Sequence, residues 1–108
     1  MENIKVVQIS TRTKPEEFNI SVSPEDTIIL RSDGETQAVV VIPNIKAYAD
    51  REGKDNYREH YFPDNPELKI VISKYPIFGE FPYHIYFVKE KKFVDIPNNS
   101  APKIIIKE

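Results

Sequence analysis

A run of alternating aromatic and β-branched residues within Phe78–Val88 constrains the fold of this chain more than any other feature. Phe81, Tyr83, Ile85 and Phe87 recur there at every second position. Residues at that spacing lie on one face of an extended strand, whereas a helix would distribute them around its axis. The run therefore predicts the central strand of a β-sheet.

Other segments show the same extended character, with turn-forming residues between them. Apolar and polar residues alternate in Phe18–Ser23, and Thr36–Ile42 is an apolar, β-branched run typical of a strand buried on both faces. Asp33-Gly34 is a hairpin signal between two such segments. A short return over Phe93–Ile96 precedes a turn at Pro97–Ser100. The other predicted strands are Ile4–Ser10, Thr27–Ser32, Leu68–Ser73 and Pro102–Lys107. About seven short strands, nine prolines and no strong helical pattern are typical of an all-β sandwich or barrel.

The stretch Pro43–Pro66 has a different character. Asn44–Glu52 shows weak helical spacing, with Asn44 as a candidate N-cap and Gly53 as a stop, which predicts one short helix. The remainder is polar but contains several aromatic residues. Connections of this length are uncommon in compact domains and are often functional. We call this stretch the mid-chain excursion.

Aromatic rings and arginines make the mid-chain excursion the best candidate for a binding surface, because both are enriched at protein interfaces. The candidate binding residues are Tyr48, Arg51, Tyr57, Arg58, His60, Tyr61 and Phe62. The competing interpretation is that these rings cover an open end of the sandwich.

Composition limits the partners that the chain is expected to have. Its 108 residues suit one domain, residues 1–108, and 15 Lys and Arg against 17 Asp and Glu leave a net charge of −2. The densest basic run, Lys89–Lys92, is short and contains an acid, so no nucleic-acid partner is predicted. No apolar run is long enough to insert into a membrane. The N-terminus shows no signal-peptide pattern, although a trimmed leader would leave no trace, and the compartment stays open.

Catalytic and metal-binding patterns are equally weak. The chain has no cysteine and only two histidines, His60 and His84, and no serine sits in a nucleophile elbow. His84 falls on the face opposite to Tyr83 and Ile85, which predicts a solvent-facing side chain. His60 near Glu59 and acids further along suggests a non-copper metal site only as a distant alternative. We therefore expect no enzyme activity, no cofactor and no metal site.

The order of several segments carries a family resemblance. A turn at Ser23–Asp26 follows an amphipathic strand, Gly79–Ile85 reads Gly-Glu-Phe-Pro-Tyr-His-Ile, and Ala101–Ile106 forms a closing β-branched strand. This layout resembles the cupredoxin-like domain, with an immunoglobulin-like sandwich as the alternative. The resemblance implies a Greek-key β-sandwich.

The same comparison implies that the scaffold lacks copper. A blue-copper site requires two histidines, a cysteine and usually a methionine. The first histidine position falls within Thr36–Ala38, Ile85 stands where the cysteine would be, and the second histidine would fall within Val88–Glu90. The single methionine is Met1. The resemblance thus removes electron transfer from the expected functions.

Taken together, the sequence predicts an all-β Greek-key sandwich that acts as a non-catalytic binding or interaction module. The alternative is a structural or oligomerising domain that pairs through an exposed edge strand, either Ile4–Ser10 or Lys103–Lys107. A protein partner and self-association both remain open.

Overall fold

Strands account for most of the ordered structure in the computed structural model, which describes residues 2–96 and 100–108. Eleven strands replace the predicted seven, and the helical content of the described residues is limited to two short 3₁₀ helices, Pro15–Phe18 and Ile45–Ala47. The strands are β1 (Ile4–Ile9), β2 (Ile20–Val22), β3 (Thr27–Ser32), β4 (Ala38–Pro43), β5 (Ala49–Asp50), β6 (Tyr57–Phe62), β7 (Glu67–Ile72), β8 (Gly79–Pro82), β9 (His84–Phe87), β10 (Lys92–Phe93) and β11 (Lys103–Ile106).

The strands form three sheets. The first has the order β1-β3-β7-β5, the second β10-β9-β4-β6, and the third β2-β11-β8. The pairs β1–β3 and β2–β11 are parallel, and the remaining pairs are antiparallel. The all-β prediction is confirmed, and the arrangement is consistent with a β-sandwich.

The inward faces of all three sheets meet in one hydrophobic core. Its fully buried side chains include Leu30 in the first sheet, Val40 in the second and Ile104 in the third. Burying one such side chain stabilises a fold by about 1.5–3 kcal/mol. The radius of gyration, 13.1 Å, is that expected of a compact domain of this length. The alternation seen in the sequence is therefore the alternation between core and surface.

The aromatic run predicted as one central strand is divided between two sheets. Residues before Tyr83 form β8 at an edge of the third sheet, and residues after it form β9 inside the second sheet. Pro82 has no N–H to continue a ladder. The Tyr83 N–H donates to the Pro102 carbonyl (2.9 Å), and the Tyr83 hydroxyl donates to the Phe18 carbonyl (2.6 Å). Tyr83 thus anchors the crossing point between the sheets.

Asp33-Gly34 does not form the predicted hairpin, because β3 and β4 belong to different sheets. The Asp33 carboxylate instead accepts bonds from the N–H groups of Glu35 (2.8 Å) and Thr36 (2.7 Å) and from the Thr36 hydroxyl (2.6 Å). Gly34 adopts φ +87°, which a residue with a Cβ rarely does. This local turn carries the chain from one sheet to the next.

The mid-chain excursion is more regular than predicted. The helix expected over Asn44–Glu52 is wrong: a 3₁₀ turn is followed by β5, and Asn44 has φ 58° and makes no side-chain cap. The segment Tyr57–Phe62, expected to be a loop, is β6, paired antiparallel with β4 along its whole length. Tertiary pairing with an apolar neighbour strand has overridden the polar composition of the segment.

Of the two predicted edge strands, one is at an edge. β1 ends the first sheet, whereas β11 lies between β2 and β8, so pairing through Lys103–Lys107 is not available. The turn predicted at Pro97–Ser100 falls on residues 97–99, which lie outside the described residues.

Candidate functional site: an aromatic sheet face

Strand β6 separates the predicted binding residues into two groups. His60 and Phe62 point into the core and are 8% and 4% exposed, whereas Tyr57 and Tyr61 point outward and are 52% and 49% exposed. Successive side chains on a strand face opposite sides of the sheet, so these residues cannot form one patch. Tyr57 and Tyr61 remain available to a partner.

Tyr48 is a core residue. Its ring is fully buried, with its centroid 4.7 Å from that of Phe81. Its hydroxyl has no hydrogen-bond partner among the residues that the structure describes. Burial, with a smaller contribution from the Glu52 carboxylate, raises the pKa of Tyr48 well above its ordinary value. The competing interpretation, that a ring of the excursion covers the core, therefore holds for Tyr48.

The two arginines of the predicted patch differ in environment. Arg58 is half-buried and forms an ion pair with Glu52 (3.2 Å), whose side chain is only 5% exposed. Arg51 is exposed and adopts φ 64° in the turn after β5. Arg58 stands opposite Ile42 in the register, so its side chain leaves β6 on the side opposite to Tyr57 and Tyr61.

His60 has a structural role. Its Nε2 lies 2.8 Å from the Asn65 carbonyl oxygen, which can only accept, so Nε2 carries the proton and donates. Its ring packs on Phe62 with centroids 4.6 Å apart. Within residues 2–96 and 100–108, no three His, Cys, Asp or Glu side chains are grouped so that they could hold a metal ion.

The outward face of the second sheet brings aromatic residues from three strands together. The register places Tyr61 of β6 opposite Val39 of β4, Val39 opposite Tyr86 of β9, and Tyr86 opposite Phe93 of β10. Because paired residues lie on the same face, these four side chains form a row across the whole sheet. Two further rows run parallel to it.

We call this surface the aromatic face. Its members are Val39, Val41, Pro43, Tyr57, Glu59, Tyr61, His84, Tyr86 and Phe93. Phe93 is 56% exposed, and no residue of the face is buried. The prediction that Thr36–Ile42 is buried on both faces is therefore wrong for the outer face, because no element of the described chain covers it and Val39 and Val41 are only partly buried.

Contacts within the aromatic face hold several rings in place. The ring of Phe93 lies 4.9 Å from that of Tyr86 and 6.4 Å from that of His84, the latter edge to face. The Tyr61 hydroxyl donates to the Glu59 carboxylate (3.1 Å), and this hydrogen bond raises the pKa of Tyr61. A partner would thus meet a partly ordered surface with few charges.

Only Tyr57 and Tyr61 of the aromatic face belong to the predicted patch. The patch lacks three ring-bearing members, His84, Tyr86 and Phe93, because they lie on strands distant in sequence. A signal for two of them existed, since His84 and Tyr86 occupy the phase opposite to Ile85 and Phe87. His84 is exposed, which confirms the expected solvent-facing position.

Comparisons with known proteins add no identity to this geometry. Neither a scan against protein-family models nor a search of curated proteins gives a match. Among the residues that the structure describes, no helix has the length and hydrophobicity needed to span a membrane.

Proposed function

We propose that this protein is a non-catalytic protein-binding module, built on a copper-free, cupredoxin-like Greek-key scaffold, and that the aromatic face is its binding surface. The observation that carries the proposal is the row Tyr61, Val39, Tyr86 and Phe93, which leaves large rings half-exposed on a regular sheet. Exposing such rings to water has no benefit for the folded chain alone.

The chemistry of the face favours a protein partner. Tyrosine combines a large apolar area with a hydroxyl and has few side-chain torsions to immobilise, so it binds at low entropic cost. Glu59 and His84 are the ionisable side chains of the face besides its tyrosines, and both lie in its middle row. The row Tyr61, Val39, Tyr86 and Phe93 itself has no charged side chain, which is typical of the apolar cores of protein interfaces.

The test is a comparison of three immobilised proteins as bait for an extract of the source cells. One is the wild type, one carries Tyr61→Ser with Phe93→Ser, and the matched control carries Tyr75→Ser with Ile77→Ser. Tyr75 and Ile77 are 86% and 61% exposed and lie in the loop between β7 and β8, outside the aromatic face. Both double variants are expected to retain the fold, because the replaced side chains are on the surface.

A protein that the wild type and the control capture, and that the aromatic-face variant loses, supports the proposal. Purified, it should bind the aromatic-face variant at least about 30-fold more weakly by calorimetry, the loss expected when interface hot spots are truncated. Equal capture by the aromatic-face variant and the wild type contradicts the proposal. Loss confined to the control would move the binding surface to the loop that contains Tyr75.

A further inference from the structure

Strand β1 offers an unpaired edge at the end of the first sheet, away from the residues of the aromatic face. It pairs in parallel with β3 over six residues without interruption, and no described residue pairs with its other side. The Thr27 N–H donates to the Asn3 carbonyl (2.9 Å). In a parallel ladder this phase directs the N–H and C=O groups of Ile4, Val6 and Gln8 toward the open edge.

The protection of β1 against edge pairing is limited to one lysine, Lys5, in the phase of the buried residues Val7 and Ile9. The strand contains no proline and no bulge, Lys5 is its single charged residue, and Ile4 and Val6 are 67% and 48% exposed. The Gln8 carbonyl accepts a bond from the Thr13 hydroxyl (2.8 Å), and it keeps a second lone pair. A long, regular and apolar edge of this kind is a template for another strand.

The other six-residue edge strand, β6, is more protected. The turn that follows it returns to the strand, because the Asn65 N–H donates to the Tyr61 carbonyl (3.1 Å) and the Asn65 carbonyl accepts from His60 (2.8 Å). The remaining edge strands have four residues or fewer. The contrast marks β1 as the edge suited to pairing.

We propose that β1 pairs antiparallel with β1 of a second copy of this chain, about a two-fold axis that passes beside Val6. In this register Val6 faces Val6, Ile4 faces Gln8, and each of these pairs can exchange two hydrogen bonds. Lys5 then faces Val7. Moving the second strand so that Ile4 faces Val6 would place Lys5 directly opposite Lys5, which like-charge repulsion opposes.

The groove beside β1 contains two carboxylates for a lysine of the incoming strand. It has a volume of about 700 Å³, and its lining includes Lys5 and Val7 of β1 and Arg12, together with Glu16 and Glu17 of the first 3₁₀ helix. None of the ion pairs among the described residues involves Glu16 or Glu17. In the proposed register Lys5 of the second copy lies opposite Val7, on the inner side of the sheet. Its ammonium group is therefore placed beside these two carboxylates, an arrangement that holds twice because the two-fold axis repeats it.

The pairing would join the first sheet of one copy to the first sheet of the other in one continuous sheet, and it would cover Ile4 and Val6. It uses residues of the first sheet, whereas the aromatic face consists of residues of the second sheet. A second copy is favoured over an unrelated peptide because the same strand supplies apolar residues that face outward and a lysine for Glu16 and Glu17.

Sedimentation equilibrium over about 1 µM to about 1 mM protein tests the pairing. Wild type should form dimers. Val6→Lys and Val6→Glu, each alone, should weaken dimerisation at least about tenfold, because the two copies then place like charges opposite each other at residue 6. An equimolar mixture of the two variants should restore a dimer. Both variants should fold, because Val6 faces solvent. The matched control Ile77→Lys should dimerise as wild type does.

Amide hydrogen exchange locates the contact. The N–H groups of Ile4, Val6 and Gln8 should become protected as protein concentration rises, whereas those of Lys5 and Val7, already bonded to β3, should not change. A wild type that stays monomeric throughout the range overturns the inference. So does a mixture of the Val6 variants that fails to associate, or a dimer that the aromatic-face variant dissociates.

Discussion

The hydroxyl of Tyr83 is expected to contribute about 2 kcal/mol to stability, and Tyr83→Phe isolates that contribution because it removes one oxygen and leaves the ring. The residue is fully buried, and its hydroxyl donates to the Phe18 carbonyl at 2.6 Å, across 65 positions of sequence. Burial raises the pKa of Tyr83 well above its ordinary value, so the group is a neutral donor at any working pH. The contact joins the crossing point between β8 and β9 to the start of β2.

The magnitude follows from both partners. A buried hydrogen bond contributes about 1 kcal/mol net, and the carbonyl that loses its donor inside the core adds a desolvation cost, which together gives about 2 kcal/mol. In a domain of this size such a loss lowers the melting temperature by about 10 °C.

Tyr48→Phe is the matched control. Its ring is as buried as that of Tyr83, but its hydroxyl has no hydrogen-bond partner within the described residues. Removing a buried hydroxyl that has no partner eliminates its desolvation cost without breaking a hydrogen bond. The free energy of unfolding should therefore change by less than about 0.5 kcal/mol or increase. The two variants therefore differ in one contact and share their chemistry.

Urea unfolding followed by far-ultraviolet circular dichroism measures both variants without relying on tyrosine emission. The Tyr83 variant should show a lower midpoint with an unchanged m-value. If both substitutions cost the same, or if Tyr83→Phe costs under about 0.5 kcal/mol, the hydrogen bond to Phe18 does not hold the crossing point and the reasoning is refuted.

Two predictions concern the turn between β3 and β4. Burial alone would raise the pKa of Asp33, but hydrogen bonds, chiefly from Thr36, lower it from an ordinary 3.8 to about 2. The ionised carboxylate therefore stabilises the fold fully above pH 3.8, and this contribution is lost as the pH falls toward 2. The stability difference between wild type and Asp33→Asn, about 1 kcal/mol above pH 4 after solvent screening, should therefore fall to less than about half of that value in urea titrations at pH 2, where half of the Asp33 carboxylate is protonated. A difference that stays constant with pH would contradict this account. Gly34→Ala should lower the free energy of unfolding by about 1 kcal/mol because φ at this position is +87°. Gly53 has no positive φ, so Gly53→Ala should be neutral or stabilising. Equal effects of the two substitutions in thermal melts would contradict the backbone argument.

Much of the local structure could be predicted from single segments. Thr27–Ser32 is a strand with the predicted bounds, and β7 and β11 lie within one residue of the predictions at both ends. These predictions succeeded because alternation is a local property, set by which side of a strand meets the core. The loop prediction for Tyr57–Phe62 failed because β4 supplies the pairing, and no residue within the segment indicates that partner.

The sequence predicted only part of the candidate site, because the site is assembled from strands that are distant in sequence. The composition of the mid-chain excursion drew attention to Tyr57 and Tyr61, which are exposed, together with Tyr48 and Phe62, which are not. Composition cannot distinguish a ring that covers the core from one that faces water. The distinction depends on the phase of the strand, and a segment predicted to be a loop has no assigned phase.

The sequence alone indicates that this chain forms short strands and which of their side chains alternate into a core, and it contains no cysteine that could bind copper. Only the tertiary structure shows how those strands are distributed among three sheets, with Tyr83 at the crossing between two of them. It also places Tyr61, Tyr86 and Phe93 on one face and leaves β1 as an open edge. The physical reason is the range of the forces involved. Side-chain alternation is fixed between neighbours in sequence, whereas pairing partners and exposed edges are chosen by hydrogen bonds and packing between residues far apart in the chain.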